Sequence, residues 1–278
     1  MVLENVRVGL MVGGAMPEAL RAAAEAARAA GVRHCQLMLR VSDLTPDALR
    51  SAGDILNRAG LENVATSCYL NPLDPNNGAF MGYDGAALAS MAQHADALGA
   101  RAFTTWSGGY GRVWSDADER NASAEALHVL VQAARSLLAL LDQCEGQILF
   151  EPFHRHILGS PERCRAFFDL ANEPRLQLVM DPPNFVPDGQ IDSLPTLMNR
   201  AFDLLGDRVG LAHLKDISQG PDRRVGYPGP GDGVMDYPVY LRRLRNLNRP
   251  VDAIIEHVSP DEYAKAVAFV REQWEQAT

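Results

Sequence analysis

The sequence predicts an α/β protein folded as a single (β/α)8 barrel over residues 1–278, and three observations carry that reading. Short apolar runs rich in β-branched and aromatic residues recur eight times, at 6–12, 34–39, 64–70, 102–106, 147–153, 176–180, 209–214 and 251–256. Their starts lie roughly 30 residues apart, the length of one strand, one helix and two loops. The runs are nearly continuous in apolarity rather than alternating, as expected of strands buried on both faces of a parallel sheet. No composition break divides the chain, and Gly9-Leu-Met-Val-Gly13-Gly14 lacks the third glycine of a dinucleotide-binding turn. A closed barrel therefore fits better than an open doubly wound sheet.

The segments between the runs read as helices. Residues 17–30 are rich in alanine and stop at Gly31. Thr45-Pro46-Asp47 opens a second helix that Gly60 closes, and Ser160-Pro161-Glu162 caps another. Residues 123–144 form a long amphipathic stretch. Each start places a hydroxyl at the N-cap or a proline in the first turn, and the stops use glycine.

Composition narrows the function classes. The chain has 47% hydrophobic and 22% charged residues, with 26 basic and 35 acidic side chains and a net charge of −9. With no basic run, affinity built on neutralising nucleic-acid phosphates is disfavoured, and a small-molecule substrate is expected. No stretch reaches the ~18 apolar residues of a membrane span, and the N-terminus does not read as a secretory leader, so a cytoplasmic protein is expected. Cys35, Cys68, Cys144 and Cys164 lie far apart without a CxxC pair, which disfavours a zinc ribbon and a redox motif. Free thiols in a reducing compartment are the expectation.

In a barrel, functional side chains sit where strands end on the C-terminal face. The ends of the last four runs supply Glu151, Asp181, His213 and Glu256, each directly after an apolar core. Neighbouring strands are only ~4.8 Å apart, so four adjacent ends can converge. Three carboxylates and an imidazole repel one another in a dry pocket unless a cation neutralises them. A divalent ion on these four residues is the expectation. Oxygen-rich ligation with one imidazole suits Mn²⁺, Mg²⁺ or Co²⁺ better than a thiolate-type structural zinc site, although Zn²⁺ remains among the candidates. Such a site suits proton abstraction beside a carbonyl, with Glu151 and Glu256 as catalytic acid and base.

The stretches Glu151-Pro152, Asp181-Pro-Pro-Asn184, His213-Leu-Lys215-Asp216, Pro228-Gly-Pro-Gly231-Asp232-Gly233 and Ile255-Glu256 resemble the xylose isomerase-like TIM barrels. That group of sugar (phosphate) isomerases and epimerases includes ketose 3-epimerases and inosose dehydratases. The resemblance covers most of the chain. It implies one divalent ion, often manganese, on Glu151, Asp181, His213 and Glu256, with the two glutamates as the acid/base pair. It also implies a carbohydrate substrate and the pairing of barrels into a homo-oligomer.

The chain departs from the ketose 3-epimerase pattern at three positions. Ile157 stands where a hydroxyl-binding glutamate is expected, Asn184 where a histidine is, and Gln219 where an arginine is, with Arg223 and Arg224 nearby. Substrate recognition beyond the metal should therefore differ. The extra histidines of the related endonuclease IV zinc sites are missing at Leu70, Ser107 and Asn184.

Around the four ligands, Lys215, His154, Asn184, Trp106 and Tyr69 are the candidate substrate contacts. Lys215 follows His213 by two and so shares its face of the strand. His156, His257 and Arg40 are further candidates, whereas His94 and His128 fall in outer helices. The leading function is a metal-dependent sugar isomerase or epimerase acting through an enediolate. A lyase or dehydratase that eliminates from a keto-sugar, inosose or oxidised glycoside shares its first step.

Overall fold

A computed structural model describes residues 1–277. Eight parallel strands form the barrel wall: β1 (Val6–Gly14), β2 (His34–Leu39), β3 (Glu62–Ser67), β4 (Ala102–Trp106), β5 (Gln147–Glu151), β6 (Leu176–Met180), β7 (Val209–Leu214) and β8 (Val251–Ile255). They pair in chain order, and β8 pairs with β1 (Val251 opposite Val6), so the sheet closes on itself. A two-residue strand, Val2–Leu3, folds back on β1.

Eight main helices surround the barrel: α1 (Glu18–Ala29), α2 (Pro46–Ala59), α3 (Gly85–Gln93), α4 (Ala124–Leu140), α5 (Pro161–Ala171), α6 (Leu194–Leu205), α7 (Tyr237–Arg245) and α8 (Tyr263–Gln276). No described helix is long and apolar enough to cross a membrane. The helix starts follow the capping chemistry in the sequence. Thr45 accepts from Ala48 N before α2, Ser123 from Ala126 N before α4, and Ser160 from Arg163 N before α5. Gly60 ends α2 in the left-handed conformation, at φ 67°.

Several element boundaries differ from those the sequence predicts, and three bear on the site or its loops. The third strand ends at Ser67, so Cys68, Tyr69 and Leu70 belong to the loop, and Leu70 N donates to Cys68 O. The fifth strand ends at Glu151, before Pro152, which has no N–H for a ladder. The long helix ends at Leu140, and a short 3-10 turn, Asp142–Cys144, completes the segment. All four cysteines are buried free thiols.

The barrel interior is layered by the two-residue period of its strands. Ala65, Leu149, Val179, Leu211 and Ile254 pack together as a small apolar cluster. Two residues further along, the same strands reach Ser67, Glu151 and His213 and, just beyond β6 and β8, Asp181 and Glu256, all buried. Another two residues on, Tyr69 and Lys215 join Met38 and Trp106 in lining a pocket. The apolar layer is thus the floor on which the polar layer stands.

Candidate metal centre

Glu151, Asp181, His213 and Glu256 each direct one donor atom into a common space, with all four donors within 4.8 Å of one another. His213 Nδ1 lies 3.5 Å from Glu151 Oε2, from Asp181 Oδ2 and from Glu256 Oε1. Donors each about 2.0–2.2 Å from a shared ion lie roughly 3–3.5 Å apart, so the spacing suits one small divalent cation. His213 Nδ1, both oxygens of Asp181 and Glu256 Oε1 are buried without a hydrogen-bond partner. Unsatisfied buried acceptors are costly, and a cation in the common space would engage the donor atom that each residue directs into it. The residues present fit a divalent metal.

Lys215 completes the charge balance. Its Nζ lies 2.6 Å from Asp181 Oδ2 and 3.0 Å from Glu256 Oε1, ion-pair contacts that both lack hydrogen-bond alignment. With His213 neutral, three carboxylates are neutralised by one ammonium and one divalent ion. Tyr227 lies beneath the ammonium, its ring centroid 5.1 Å from Nζ. Burial lowers the proton affinity of Lys215, but Asp181, Glu256 and Glu151 outweigh it and hold the amine firmly protonated. Burial likewise works against a charged His213, yet Glu256, Glu151 and Asp181 push it up to about 9 when no ion is present.

The imidazole is aimed from the opposite wall. His213 Nε2 donates to Gln36 Oε1 at 3.0 Å, which leaves the Nδ1 lone pair for an ion. Gln36 is itself held, because its amide donates to Ser67 Oγ at 2.9 Å and to Thr104 Oγ1 at 3.0 Å. None of the three belongs to a motif of the sequence, although Gln36 is a polar residue inside an apolar strand and Ser67 and Thr104 fall on the inward register.

The two glutamates sit in different surroundings. Glu151 Oε1 accepts from Asn184 Nδ2 at 2.7 Å and Oε2 from the Tyr69 hydroxyl at 2.8 Å. Burial raises the proton affinity of Glu151 above that of an ordinary carboxylate, against His213 and Lys215. Burial acts the same way on Glu256, but His213, Lys215 and His257 outweigh it and hold it low.

A pocket of about 230 Å³ opens on the cluster and is lined by Glu151, Glu256, Lys215, Asn184, Tyr69 and Trp106. Trp114 stacks on Trp106 at 5.4 Å with the planes 3° apart, and both line the pocket. Met11, Met38, Met81, Tyr227 and His257 complete it. His154 is not brought in. It lines a separate hollow with Asp188 and Arg163, where its Nε2 accepts from Arg155 Nε. The Phe153-His154 turn leads away from the mouth as His154 N donates to Asn184 O. His156 is buried and donates Nε2 to Trp114 O at 2.6 Å, and burial lowers its pKa to about 4. It acts as a neutral support of the tryptophan wall.

A family profile described as "Xylose isomerase-like TIM barrel" matches residues 24–273. The chain belongs to the xylose isomerase-like TIM barrel family. Solved structures agree on the fold. A xylose isomerase domain protein from Planctomyces limnophilus superposes with TM-score 0.71 at 16% identity, covering 98% of this chain and 95% of that one. A xylose isomerase-like TIM barrel protein from Mycobacterium smegmatis in complex with magnesium gives 0.70 at 14%, covering 97% and 98%. The 3-keto-D-glucoside 4-epimerase of E. coli gives 0.67 at 14%, covering 96% and 99%. No curated protein matches in sequence.

Within this xylose isomerase-like barrel the departures noted above take definite places. Ile157 is fully buried in the core, so no polar group replaces a hydroxyl-binding glutamate there. Gln219 is exposed and pairs with Val225 in a small hairpin, while Arg223 donates to Gly189 O at 2.6 Å. The Pro228–Gly233 loop is tied down by Asp216, which accepts from Ile217, Gly231 and Met235 amides at 2.8–3.1 Å. Asp216 is spent on this turn and makes no ion pair with Lys215.

Proposed function

We propose that the protein is a divalent-metal-dependent isomerase or epimerase of a sugar, keto-sugar or polyol derivative. It would move the proton beside a carbonyl by way of an enediolate. The observation that carries this reading is the pair of buried glutamates, Glu151 and Glu256, at the two ends of the β5–β8 arc and facing one pocket. Glu151, Asp181, His213 and Glu256 would hold the ion. When bound, the ion supplies Lewis-acid polarisation of a carbonyl and neutralises developing negative charge.

The remaining chemistry belongs to the side chains. Glu256, held as a carboxylate by its cationic neighbours, removes the proton from one face of the substrate. Glu151, gripped by Tyr69 and Asn184, delivers a proton to the other face. Two carboxyl groups with diverging proton affinities suit this division of labour. Lys215 presents an ammonium beside the same pocket and stabilises oxyanion character. Trp106, Trp114 and Tyr69 close the apolar side and limit water. The magnesium complex and the epimerase among the structural neighbours support this chemistry by analogy of fold.

A second reading, elimination of water or an aglycone from the same enediolate, draws support from Asn184 and Ile157. Neither offers the hydroxyl-binding group of a ketose 3-epimerase. The test is a screen of keto-sugars in D₂O with the Mn²⁺-loaded protein. Deuterium gained without loss of mass supports epimerisation, and loss of water or an aglycone supports elimination. Glu256→Gln should lower exchange by about 10³-fold with the circular dichroism unchanged. Full exchange by that variant would exclude the two-glutamate mechanism.

A further inference from the structure

A second and larger hollow, about 610 Å³, adjoins the reaction pocket and shares Met11, Met38 and Met81 with it. Because β1 pairs with β8, it begins on the Glu256 side of the cluster. Gly13, Gly14, Val41 and Arg40 are among the residues that line it. Two tyrosines border it, and the proton of each hydroxyl is already committed: Tyr83 donates to Leu39 O, and Tyr263 donates to Met11 O at 2.8 Å. Arg40 is the charged side chain of the lining and makes no ion pair or side-chain hydrogen bond among the described residues. Met81 and Val41 remain 43% and 41% exposed, an apolar surface open at the mouth.

Apart from Arg40, the lining offers a sugar no charged side chain and no free hydroxyl proton, so most hydroxyls buried here would lose water for little return. A flat apolar group meets the opposite case. Methionine side chains adapt to aromatic faces and make favourable sulfur–ring contacts. We propose that this hollow holds an aromatic aglycone carried by the substrate, with an anionic or hydrogen-bonding substituent at its far end meeting Arg40. The inference rests on the smaller pocket being the site of carbohydrate chemistry. It names the substrate class as an aryl glycoside or similarly conjugated sugar, rather than a free monosaccharide.

The test titrates the Mg²⁺-loaded 278-residue chain with 1-anilinonaphthalene-8-sulfonate, an aromatic probe bearing an anion. One saturable site per chain is expected, weakened at least fivefold by Val41→Asp and about threefold by Arg40→Ala, with the circular dichroism of both variants unchanged. Phenyl glycosides of several sugars should displace the probe at concentrations at least tenfold below those of the matching methyl glycosides. Failure of the probe to bind, indifference to both substitutions, or phenyl and methyl glycosides acting alike would each overturn the proposal. A concentration-dependent dimer split by Val41→Asp would also overturn it, because the hollow would then be an interface between copies. The probe reports binding without turnover, so these outcomes are separate from the D₂O test of proton transfer.

Discussion

Strands β5 to β8 present three carboxylates and an imidazole at the height where β2 to β4 present Gln36, Ser67 and Thr104. Both halves stand on the same apolar floor, yet one carries the charge and the other carries neutral hydrogen bonds that aim it. The charged half depends on a cation, since buried carboxylates left together repel and protonate. The neutral half works through His213 alone, by way of the Gln36 contact. This division predicts graded consequences when either half is altered.

The largest effect should follow Asp181→Ala, which removes a ligand from the centre of the charged arc. The wild-type protein should carry about one divalent ion per chain, and the variant should lose it, as measured by metal mass spectrometry after dialysis. Retention of the ion would move the binding site elsewhere. Lys215→Met comes next, because it leaves three buried carboxylates without their ammonium. The ion-free variant should lose about 3–5 kcal/mol of stability, read by denaturant unfolding, and added Mn²⁺ should recover part of it. Equal losses with and without the ion would show that Lys215 is not part of this charge balance.

A smaller effect tests the neutral half. Gln36→Leu should weaken ion affinity by about 10–100-fold, while Glu151 and Glu256 remain in place. Unchanged affinity would mean the imidazole is held by packing alone. The last test changes no residue, only the pH. His213, pushed up to about 9, holds a proton at neutral pH in the ion-free protein, and an ion must displace it. Apparent affinity should therefore climb by up to tenfold per unit as pH rises from 6 to 8, then level off above about 9. A flat profile would indicate that His213 is already neutral.

The eight strands, their order of appearance and the four ligand candidates were legible because they depend on local patterns. An apolar run followed by a charged residue shows the strand end, and the two-residue period sets Leu149 under Glu151 and Leu211 under His213. The same period, applied to β2, β3 and β4, would also have marked Gln36, Ser67 and Thr104 as inward. The sequence marks Tyr69 and Asn184 as candidate substrate contacts, but their hydrogen bonds to Glu151 are a matter of loop path. So is the placement of His154, only three residues past Glu151 and yet in another hollow.

The sequence by itself determined the period, the burial and the residue types at each strand end, since those follow from neighbours along the chain. Closure of the barrel decided the rest. It set Gln36 against His213 across 177 residues, and it put the methionines of β1, β2 and the loop before α3 onto one wall. Such pairings depend on how distant strands tilt and how loops turn back, and local periodicity carries neither.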